Sequence, residues 1–232
     1  MATFAAYIIS YGNMKKIYLS LALLLMVLIT KAQAVYGVFA GAQASTAHYD
    51  VFTVNLVKVK QETGFKFGFQ AGAMLKVQFD NGWYFSPLVH YSMKGYKVTF
   101  SRPSLPPDSS AVDNDVTLHS FEIAPLIQYN FSADPGHFFV RGGPSLNGHI
   151  SGKEKFNTTG GTVVDRKMKF SFGDYGRFGA SLQLHLGYET STGLVVYAHY
   201  THGVGSLVNT DGGPNVVFRT MGISFGKYLS RK

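Results

Sequence analysis

Apolar and polar residues alternate along residues 64–79 of this chain. Successive side chains of a β-strand point to opposite faces, so this pattern predicts a strand with one apolar and one polar face. The apolar face carries Phe65, Phe67, Phe69, Ala71, Ala73, Leu75, Val77 and Phe79. On the other face only Met74 interrupts a row of polar residues and glycines. A soluble sheet that packs on a core shows the same alternation, so the length and repetition of such stretches must decide the class of protein.

Eight stretches of this kind follow one another along the chain. They cover residues 35–45, 64–79, 83–100, 116–131, 137–150, 170–189, 194–206 and 216–229. Their lengths of 11 to 20 residues exceed those of ordinary soluble strands and are sufficient to cross a bilayer at the usual tilt. The lengths therefore favour a membrane protein.

Short and long connections alternate between these stretches. The short ones, 80–82, 132–136 and 190–193, contain the Gly, Asn, Asp and Ser residues of tight turns, whereas 46–63, 101–115, 151–169 and 207–215 are long. Outer-membrane barrels alternate in this way, with tight periplasmic turns and longer extracellular loops, and an even strand number places both chain ends in the periplasm. We therefore predict an all-β fold, a single eight-stranded antiparallel up-and-down transmembrane β-barrel.

Two smaller features refine this prediction. The first long connection still alternates at Val51, Thr53, Leu56, Val57 and Val59, so it is expected to extend the first hairpin and to offer a strand edge to partners. Aromatic residues near the strand ends are expected to form girdles at the bilayer interfaces. They are Trp83, Tyr84, Tyr129, Phe131, Phe138, Tyr188 and Tyr228.

The start of the chain has the features of a secretory signal peptide. Lys15 and Lys16 precede an apolar run over residues 17–29, which is followed by small residues up to Ala34. This run of about 13 residues is shorter than the roughly 20 that a membrane-spanning helix needs. We expect residues 1–34 to be removed and residues 35–232 to form the barrel. Two readings of residues 1–13 stay open: translation begins at Met14, or the signal has a long first region.

Charge and cysteine content exclude two other classes. Removal of residues 1–34 deletes three lysines and no acidic residue, so the formal charge falls from +8 to +5. Secretion and the absence of a clustered basic stripe argue against nucleic acid as a partner. The chain has no cysteine, which rules out a disulfide framework. No motif indicates a cofactor.

Parity along the strands directs several charged and polar side chains into the lumen. We predict an interior network of Lys66, Lys76, Lys94, Glu122, Arg141, Arg177, His185, Glu189 and His199. A buried charge is costly unless it is paired, so these residues are expected to form Lys–Glu and Arg–Glu pairs. Eight strands leave an interior just wide enough for side chains, and free diffusion through the barrel is therefore not expected.

Two histidine arrangements could carry chemistry. His90 and Ser92 share one strand face, as a base and a nucleophile would, but parity directs both into the lumen, away from any lipid substrate. His185 and His199 would face each other if the turn at 190–193 sets that register, with Glu189 as a conceivable third ligand of a metal. The sequence favours polar filling of the lumen in both cases, with no catalytic residue and no metal.

The third long connection is rich in basic residues. We call Lys153, Lys155, Arg166, Lys167 and Lys169 the cationic rim. Such a rim could bind the phosphates of lipopolysaccharide, with Arg166 offering bidentate geometry, or it could be a solvated loop. The expected partners are outer-membrane lipid and lipopolysaccharide, the barrel-assembly machinery, and a secretion system or surface ligand.

Several segments are similar to a known family. They are YGVFAG at 36–41, SPLVHYSMKG at 86–95, FEIAPLIQY at 121–129, VRGGPS at 140–145, YTHG at 200–203 and GISFG at 222–226. In order, they resemble the strands of the PorT-like outer-membrane β-barrel family. The resemblance implies an integral outer-membrane barrel without catalytic residues, and one branch of that family is linked to protein secretion and gliding.

Three functions are compatible with these observations. The first is a non-enzymatic structural or interaction barrel that acts through its long loops, with or without a link to a secretion assembly. The second is a narrow transport pore, which requires a wider or emptier lumen. The third is a membrane-embedded lipid hydrolase, which requires His90 and Ser92 to face outward beside a carboxylate. The sequence favours the first.

Overall fold

A computed structural model describes residues 34–52, 57–171 and 173–229. Residues 1–33 of the predicted signal peptide and the C-terminal residues 230–232 lie outside this described part. Within it, no helix is long and apolar enough to cross a membrane. The strands are β1 (Val35–Phe52), β2 (Lys58–Lys60), β3 (Glu62–Gly64), β4 (Lys66–Asp80), β5 (Trp83–Phe85), β6 (Leu88–Thr99), β7 (Asp113–Ala124), β8 (Ile127–Asn130), β9 (His137–Asn157), β10 (Val163–Lys167), β11 (Phe178–Glu189), β12 (Leu194–Gly203) and β13 (Asn215–Tyr228).

The strands close into one antiparallel ring. β1 pairs with β4 on one side and with β13 on the other, which joins the first wall to the last. Around the ring the walls are β1, β4, β5 with β6, β7 with β8, β9, β11, β12 and β13. The prediction of an eight-stranded antiparallel barrel is confirmed.

Two walls are interrupted by a proline. β5 and β6 are separated at Pro87, and β7 and β8 at Pro125, because proline has no N–H to donate to the ladder. Between the two breaks, the Ser86 N–H donates to the Leu126 carbonyl at 2.8 Å. The strands predicted over 83–100 and 116–131 are therefore each two segments of one wall.

The walls extend furthest at the end of the barrel that carries the long connections, which we call the long-loop end. β1 runs to Phe52 and pairs with β2, so Val51 faces Val59 and the first hairpin is extended as expected. Thr53 and Leu56 lie outside the described residues. The opposite end, where 80–82, 132–136 and 190–193 turn, is the short-turn end.

The third long connection differs from the prediction. β9 continues to Asn157 and pairs with β10, so most of residues 151–169 form a β-hairpin and not a loop. The alternation in fact continues there, because Glu154 and Phe156 are buried and Lys153 and Lys155 are exposed. The sixth wall correspondingly begins at Phe178, later than the predicted residue 170.

The two faces of the walls differ as the alternation predicts. On β11, Leu182 and Leu184 are more than half exposed on the outer face, whereas Gln183 and His185 are buried in the lumen. Met74, which interrupted the polar pattern of its strand, also lies in the lumen and is buried. The outer surface of the barrel is therefore apolar and the interior mainly polar.

Part of the predicted aromatic girdle forms on the outer face of the short-turn end. Trp83 packs on Tyr129 and Phe138 on Tyr188, with ring centroids 4.9 Å apart in both pairs. Tyr228 is instead buried in the lumen. The prediction that it belongs to the girdle was wrong, because its parity turns the ring inward, onto the Lys76 ammonium 4.9 Å from the ring centroid. It was wrong for Tyr84 too, which lies opposite the fully buried Gln128 with its ring centroid 5.1 Å from the same ammonium.

The lumen is filled in layers. At the long-loop end an apolar cluster, which we call the apolar cap, contains Ala47, Tyr49, Val51, Tyr96, Val98, Val116, Leu118, Met168, Tyr175, Leu207, Val208 and Val216. A second cluster near the short-turn end contains Phe39, Met74, Leu88, Ala124, Leu126, Phe139, Val195, Tyr197 and Tyr228. Between them lie buried polar side chains, which we call the central polar layer: Gln43, Gln70, His90, Ser92, Lys94, Glu122, Arg141, Gln183, His185 and His199.

Candidate functional site

The central polar layer is organised around a buried ion pair. The Lys94 ammonium donates to Glu122 Oε1 at 2.6 Å, and both side chains are about 4% exposed. His90 Nε2 lies 3.5 Å from Glu122 Oε2. The register of β6 and β7 places His90 directly opposite Glu122, so the pairing follows from the ladder itself. Each charge of this pair is compensated where water is excluded.

A hydrogen-bonded chain links this pair to a buried arginine. Arg141 Nε donates to His185 Nδ1 at 2.9 Å, so the hydrogen of that imidazole is on Nε2, which lies 3.1 Å from Gln183 Oε1. Gln183 Nε2 in turn donates to Glu122 Oε2 at 3.4 Å. The chain crosses the lumen through β9, β11 and β7. It gives Arg141 a polar connection to the Glu122 carboxylate, which it does not contact directly. The prediction of an Arg–Glu pair was therefore wrong for Arg141, whose Nε donates to a histidine.

The guanidinium of Arg141 also lies against aromatic rings. Its Cζ is 4.3 Å from the ring centroid of Tyr197 and 5.5 Å from that of Phe139. Arg141 is 1% exposed, and its two terminal nitrogens have no hydrogen-bond partner among the described residues. Cation–π contacts with the two rings therefore supply much of its compensation.

A second buried pair lies near the short-turn end. Lys76 donates to Glu189 Oε2 at 2.5 Å, and His137 Nε2 lies 3.6 Å from the same oxygen. The Lys76 ammonium lies 5.1 Å from the ring centroid of Tyr84, in addition to its contact with Tyr228. Side chains thus fill the barrel at this end as well.

Two residues of the predicted interior network lie elsewhere. The ladder between β4 and β6 ends at Phe69 and Met93, and the Lys66 side chain then passes over Gly95, which has no side chain, to pair with Asp115 on the outer face. Arg177 precedes β11 and is exposed at the long-loop end, where its guanidinium lies over Phe170. The prediction that these two residues line the lumen was wrong, because parity gives a direction but not the residue at which the wall ends.

The two histidine arrangements are now placed. His90 and Ser92 are both buried and face the lumen, and Ser92 Oγ accepts a hydrogen bond from Gln43 Nε2 at 2.9 Å. Glu122 is the carboxylate beside His90 that the sequence did not reveal, since it lies on the neighbouring wall. His185 and His199 are register partners with ring centroids 5.8 Å apart. Within the described residues, no group of three or more His, Cys, Asp or Glu side chains is placed to hold a metal ion.

One small cavity among the described residues lies near the ion pair. A cavity of about 20 Å³ lies beside Lys94, Asn147, His149 and Ser181. This volume is sufficient for about one water molecule. With the apolar cap above it and the second cluster below, the central polar layer is closed off at both ends by side chains.

Hydrogen bonds from Tyr175 and Arg166 to the buried Glu154 hold the apolar cap in place. Glu154 is 2% exposed and accepts two hydrogen bonds, from Tyr175 Oη at 2.7 Å and from Arg166 Nε at 2.7 Å. Arg166 also donates to the Pro107 carbonyl at 2.7 Å, which ties the β9–β10 hairpin to the preceding long loop. Burial raises the pKa of Tyr175 well above its usual value. Tyr175 therefore remains a hydrogen-bond donor to Glu154 at any ordinary pH.

The cationic rim is only partly available to a ligand. Arg166 is engaged by Glu154 and Pro107, so it is not the free bidentate group that the sequence suggested. Lys153 donates to Asp165 at 2.9 Å on the exposed surface of the hairpin. The remaining lysines are exposed: Lys155, Lys167 and Lys169.

Further basic residues adjoin the rim on the outer face. Lys97 on β6 is opposite Asp115 on β7, and Asp115 is opposite Lys155 on β9, so one cross-strand row carries two lysines and one carboxylate. The Lys97 ammonium is 3.9 Å from that carboxylate, and Lys66 contacts it too. Lys97 could have been found from the sequence, because its parity directs it outward at the end of a strand.

These features can be compared with known proteins. Residues 31–209 match the model of a family described as the outer membrane protein beta-barrel domain. The chain belongs to this family. Members of it are integral to the outer membrane, so the long-loop end is extracellular and the apolar outer face meets lipid.

Solved structures of outer-membrane barrels are similar to this chain. One is Ail, the attachment invasion locus protein of Yersinia pestis, in complex with a heparin analogue: it is 13% identical, the match covers 83% of this chain and 98% of Ail, and the TM-score is 0.38. Neisserial surface protein A is 17% identical over 82% of this chain and 97% of its own, with a TM-score of 0.38. OprG of Pseudomonas aeruginosa is 9% identical over 84% and 97%, with a TM-score of 0.43. No curated protein matches the chain.

Proposed function

We propose that this protein is a non-enzymatic interaction barrel whose long-loop end contacts lipopolysaccharide. The observation that carries the proposal is the placement of exposed lysines on the outer face of the extracellular hairpin, just above the lipid-facing surface. Lys153, Lys155 and Lys167 lie on adjacent strands there, with Lys97 nearby. Phosphates of the outer leaflet lie at this height, and ammonium groups bind phosphate as point charges.

The filled lumen argues against the two alternatives. A pore would need a path past the apolar cap, the Lys94–Glu122 pair and the Lys76–Glu189 pair, and each level is occupied by buried side chains. A lipid hydrolase based on His90 and Ser92 would need them at the lipid surface, and both are buried inside the barrel.

A link to a secretion assembly is the finer part of this proposal. It is supported by the resemblance of six segments to PorT-like barrels, in particular SPLVHYSMKG at 86–95 and FEIAPLIQY at 121–129. The projecting hairpin of β9 and β10 would be the contact surface, because the outer edge of a two-stranded hairpin can accept a partner strand.

The first experiment combines folding, conductance and lipid binding. Mature protein refolded in detergent is examined by heat-modifiable gel shift and by planar-bilayer conductance. We expect a shift without steady conductance. Lipid A bearing both phosphates is then titrated in and bound lipid is counted by native mass spectrometry.

The matched variants change lysines at the two ends of the barrel. Replacement of Lys153, Lys155 and Lys167 by Gln should weaken lipid A binding without altering the gel shift. Lys227→Gln removes a partly buried lysine that donates to the Thr192 carbonyl at the short-turn end, and it should leave binding unchanged. Equal binding by both variants, or steady conductance of the parent protein, would contradict the proposal.

A further inference from the structure

A cavity lies beside the cationic rim, at the point where β11 enters the bilayer. It has a volume of about 340 Å³, within the range of ligand pockets. Its lining combines two aromatic rings, a guanidinium, an amide and a hydroxyl, from Phe170, Ser171, Arg177, Phe178 and Asn209. Neither the sequence nor the family match singles out these residues as a group.

The walls of the cavity are tied together by hydrogen bonds between two long loops. Gly176 N–H donates to the Leu207 carbonyl at 2.6 Å, and Asn209 N–H donates to the Asp174 carbonyl at 3.2 Å. The Thr210 hydroxyl donates to the Gly173 carbonyl at 2.8 Å. The two loops therefore hold the cavity open as a unit, and a ligand would meet a preformed site.

The floor of the cavity is an anchored aromatic ring. Phe170 packs against the apolar cap and stacks on His149, with ring centroids 6.2 Å apart and planes 26° from parallel. A β-bridge joins Phe170 to Tyr175, whose hydroxyl is fixed by Glu154. The ring position is thus set by the same contacts that close the barrel.

Arg177 is held on this floor with its donor groups available. Its Cζ is 5.5 Å from the Phe170 ring centroid, and its carbonyl accepts the His149 N–H at 2.8 Å. No carboxylate among the described residues forms an ion pair with it; nearby, Asp174 accepts a hydrogen bond from the Ser171 hydroxyl at 2.8 Å. A guanidinium that lies on a ring keeps its N–H edges free, which suits bidentate contact with phosphate.

Phe178 places the cavity at the boundary of the bilayer. It is 79% exposed and continues the outward row of Leu182, Leu184 and Leu186 on β11. An apolar group lies therefore on the membrane side of the cavity, the cation of Arg177 comes next, and the polar groups of Ser171 and Asn209 lie with it among the loops. This spatial order of apolar, cationic and polar groups matches the order of acyl chain, phosphate and sugar in a lipid that carries a phosphorylated sugar.

We infer that this cavity binds the phosphorylated sugar headgroup of an outer-leaflet glycolipid. Arg177 contacts the phosphate, the amide of Asn209 bonds sugar hydroxyls, and Phe178 packs on the first carbons of an acyl chain. The inference deepens the proposed function, since both place lipopolysaccharide at the long-loop end, but it assigns the contact to residues other than the lysines of the cationic rim.

The test compares arginines inside and outside the cavity by native mass spectrometry of the folded barrel in detergent. Bisphosphorylated lipid A should bind Arg177→Gln at least about tenfold more weakly than the parent, since a charge-assisted bidentate contact is lost. Arg219→Gln removes an exposed arginine on β13, away from the cavity, and should change the affinity less than about twofold. Arg177→Lys should fall between the two, because lysine keeps the charge but not the planar fork.

Two further probes define the ligand. Fully dephosphorylated lipid A should bind the parent and Arg177→Gln equally, and glucose 1-phosphate should compete poorly, because it lacks the acyl chain that meets Phe178. Equal binding of bisphosphorylated lipid A by the parent and Arg177→Gln would overturn the inference. Competition by glucose 1-phosphate at the concentration of lipid A would overturn the lipid as ligand and leave a soluble sugar phosphate.

The outcome is separable from that of the proposed function. If the triple lysine variant loses lipid A while Arg177→Gln retains it, the proposed function stands and this inference fails. If Arg177→Gln loses lipid A and the triple variant retains it, the cavity is the contact and the rim is not. Each variant is first checked by the heat-modifiable gel shift, so a folding defect is not read as loss of binding.

Discussion

The apolar cap and the central polar layer close the same lumen by different physical means. The cap is built from the long-loop ends of the walls together with residues that follow them in the loops, such as Met168, Tyr175 and Leu207. The central polar layer comes from walls alone, and its charged groups meet across strands. The cap is thus comparable to a small soluble core on top of a membrane barrel, whereas the polar layer depends on charge complementarity among buried side chains.

This difference indicates that the polar layer sets the register of the walls and that the cap sets the position of the loops. Every buried side chain of the polar layer needs a particular partner, so the Lys94–Glu122 pair and the Arg141–His185 contact favour one register of the walls. The cap needs only apolar volume of about the right size, and it fixes the loops that carry the extracellular surface. We expect substitutions in the two regions to differ in kind as well as in size.

The largest effect is expected when one partner of the central ion pair is removed. Glu122→Leu leaves the Lys94 ammonium buried without a carboxylate and should lower the free energy of unfolding by about 3–5 kcal/mol. Urea unfolding in lipid vesicles, followed by the fluorescence of the single tryptophan, Trp83, measures this. The double variant Lys94→Met/Glu122→Leu should recover most of the loss. If single and double variants are equally destabilised, the loss is one of packing and the contrast with the cap disappears.

Truncation within the cap is expected to cost slightly less. Leu118 is fully buried there, and Leu118→Ala removes apolar contacts and leaves a cavity, which should lower the free energy of unfolding by about 2–5 kcal/mol. Leu118→Met conserves volume and should cost less than about 1.5 kcal/mol. The same urea titration compares both. Equal losses for alanine and methionine would mean that the cap is as selective as the polar layer.

The contrast between walls and loops also explains which parts of the structure could be predicted from the sequence. The period of two identified the eight walls and the inward direction of Lys94, Glu122 and Arg141, because alternation is a property of each strand by itself. The pairing of His185 with His199 was accessible too, since a four-residue turn sets the register of β11 and β12. Walls and facing could therefore be predicted from the chain.

The cap and the ligand cavity could not be predicted in the same way. Met168 continues the alternation of β10, but Tyr175 and Leu207 enter the cap from the loops before β11 and after β12, where no alternation marks an inward direction. Arg177 was placed in the lumen by parity, although its wall begins one residue later. Contacts made by loops depend on where the walls stop, and that is decided by pairing between strands distant in sequence.

A charge placed on the outer face tests whether the walls that enclose both the cap and the polar layer face lipid. Leu184→Arg on the lipid-facing side of β11 should lower the free energy of unfolding by about 2–4 kcal/mol if the residue lies near the bilayer midplane. His202→Arg, on the outer face nearer the long-loop end, should cost about 0–1 kcal/mol. Unfolding from vesicles of defined thickness measures both. If Leu184→Arg leaves the free energy of unfolding unchanged within error, the outer face of β11 does not meet lipid.

Loss of the hydrogen bond from Tyr175 to Glu154 in the cap should lower the free energy of unfolding by less than these changes. Tyr175→Phe removes one of the two hydrogen bonds to Glu154, and Arg166 remains, so the free energy of unfolding should fall by about 1 kcal/mol. The urea midpoint at neutral pH measures this.

The same variant has a distinctive pH dependence. The pKa of Tyr175 in the folded protein is raised above its usual value of 10 by burial, so its contribution is complete below pH 10 and is lost as pH rises further. Above pH 10 the parent should therefore lose stability more steeply than Tyr175→Phe. Parallel pH profiles would show that the hydroxyl is not buried in the cap.

The smallest effect is expected at the tip of the β9–β10 hairpin, which lies beyond the cap. Residues 158–162 form a turn in which the Thr158 N–H donates to the Thr162 carbonyl at 2.9 Å and Gly161 has a φ of 78°. Replacement of these five residues by Asn-Gly also removes the bond from the Thr159 N–H to the Ser110 carbonyl at 2.8 Å, so the free energy of unfolding should change by at most about 1 kcal/mol. A type I′ turn suits the two-residue hairpin that results. Tip replacement and Leu118→Ala are compared in one urea series. If tip replacement lowers the free energy of unfolding as much as Leu118→Ala does, the hairpin is held by its tip and not by Glu154 and Met168 at its base. The tip would then belong to the apolar cap.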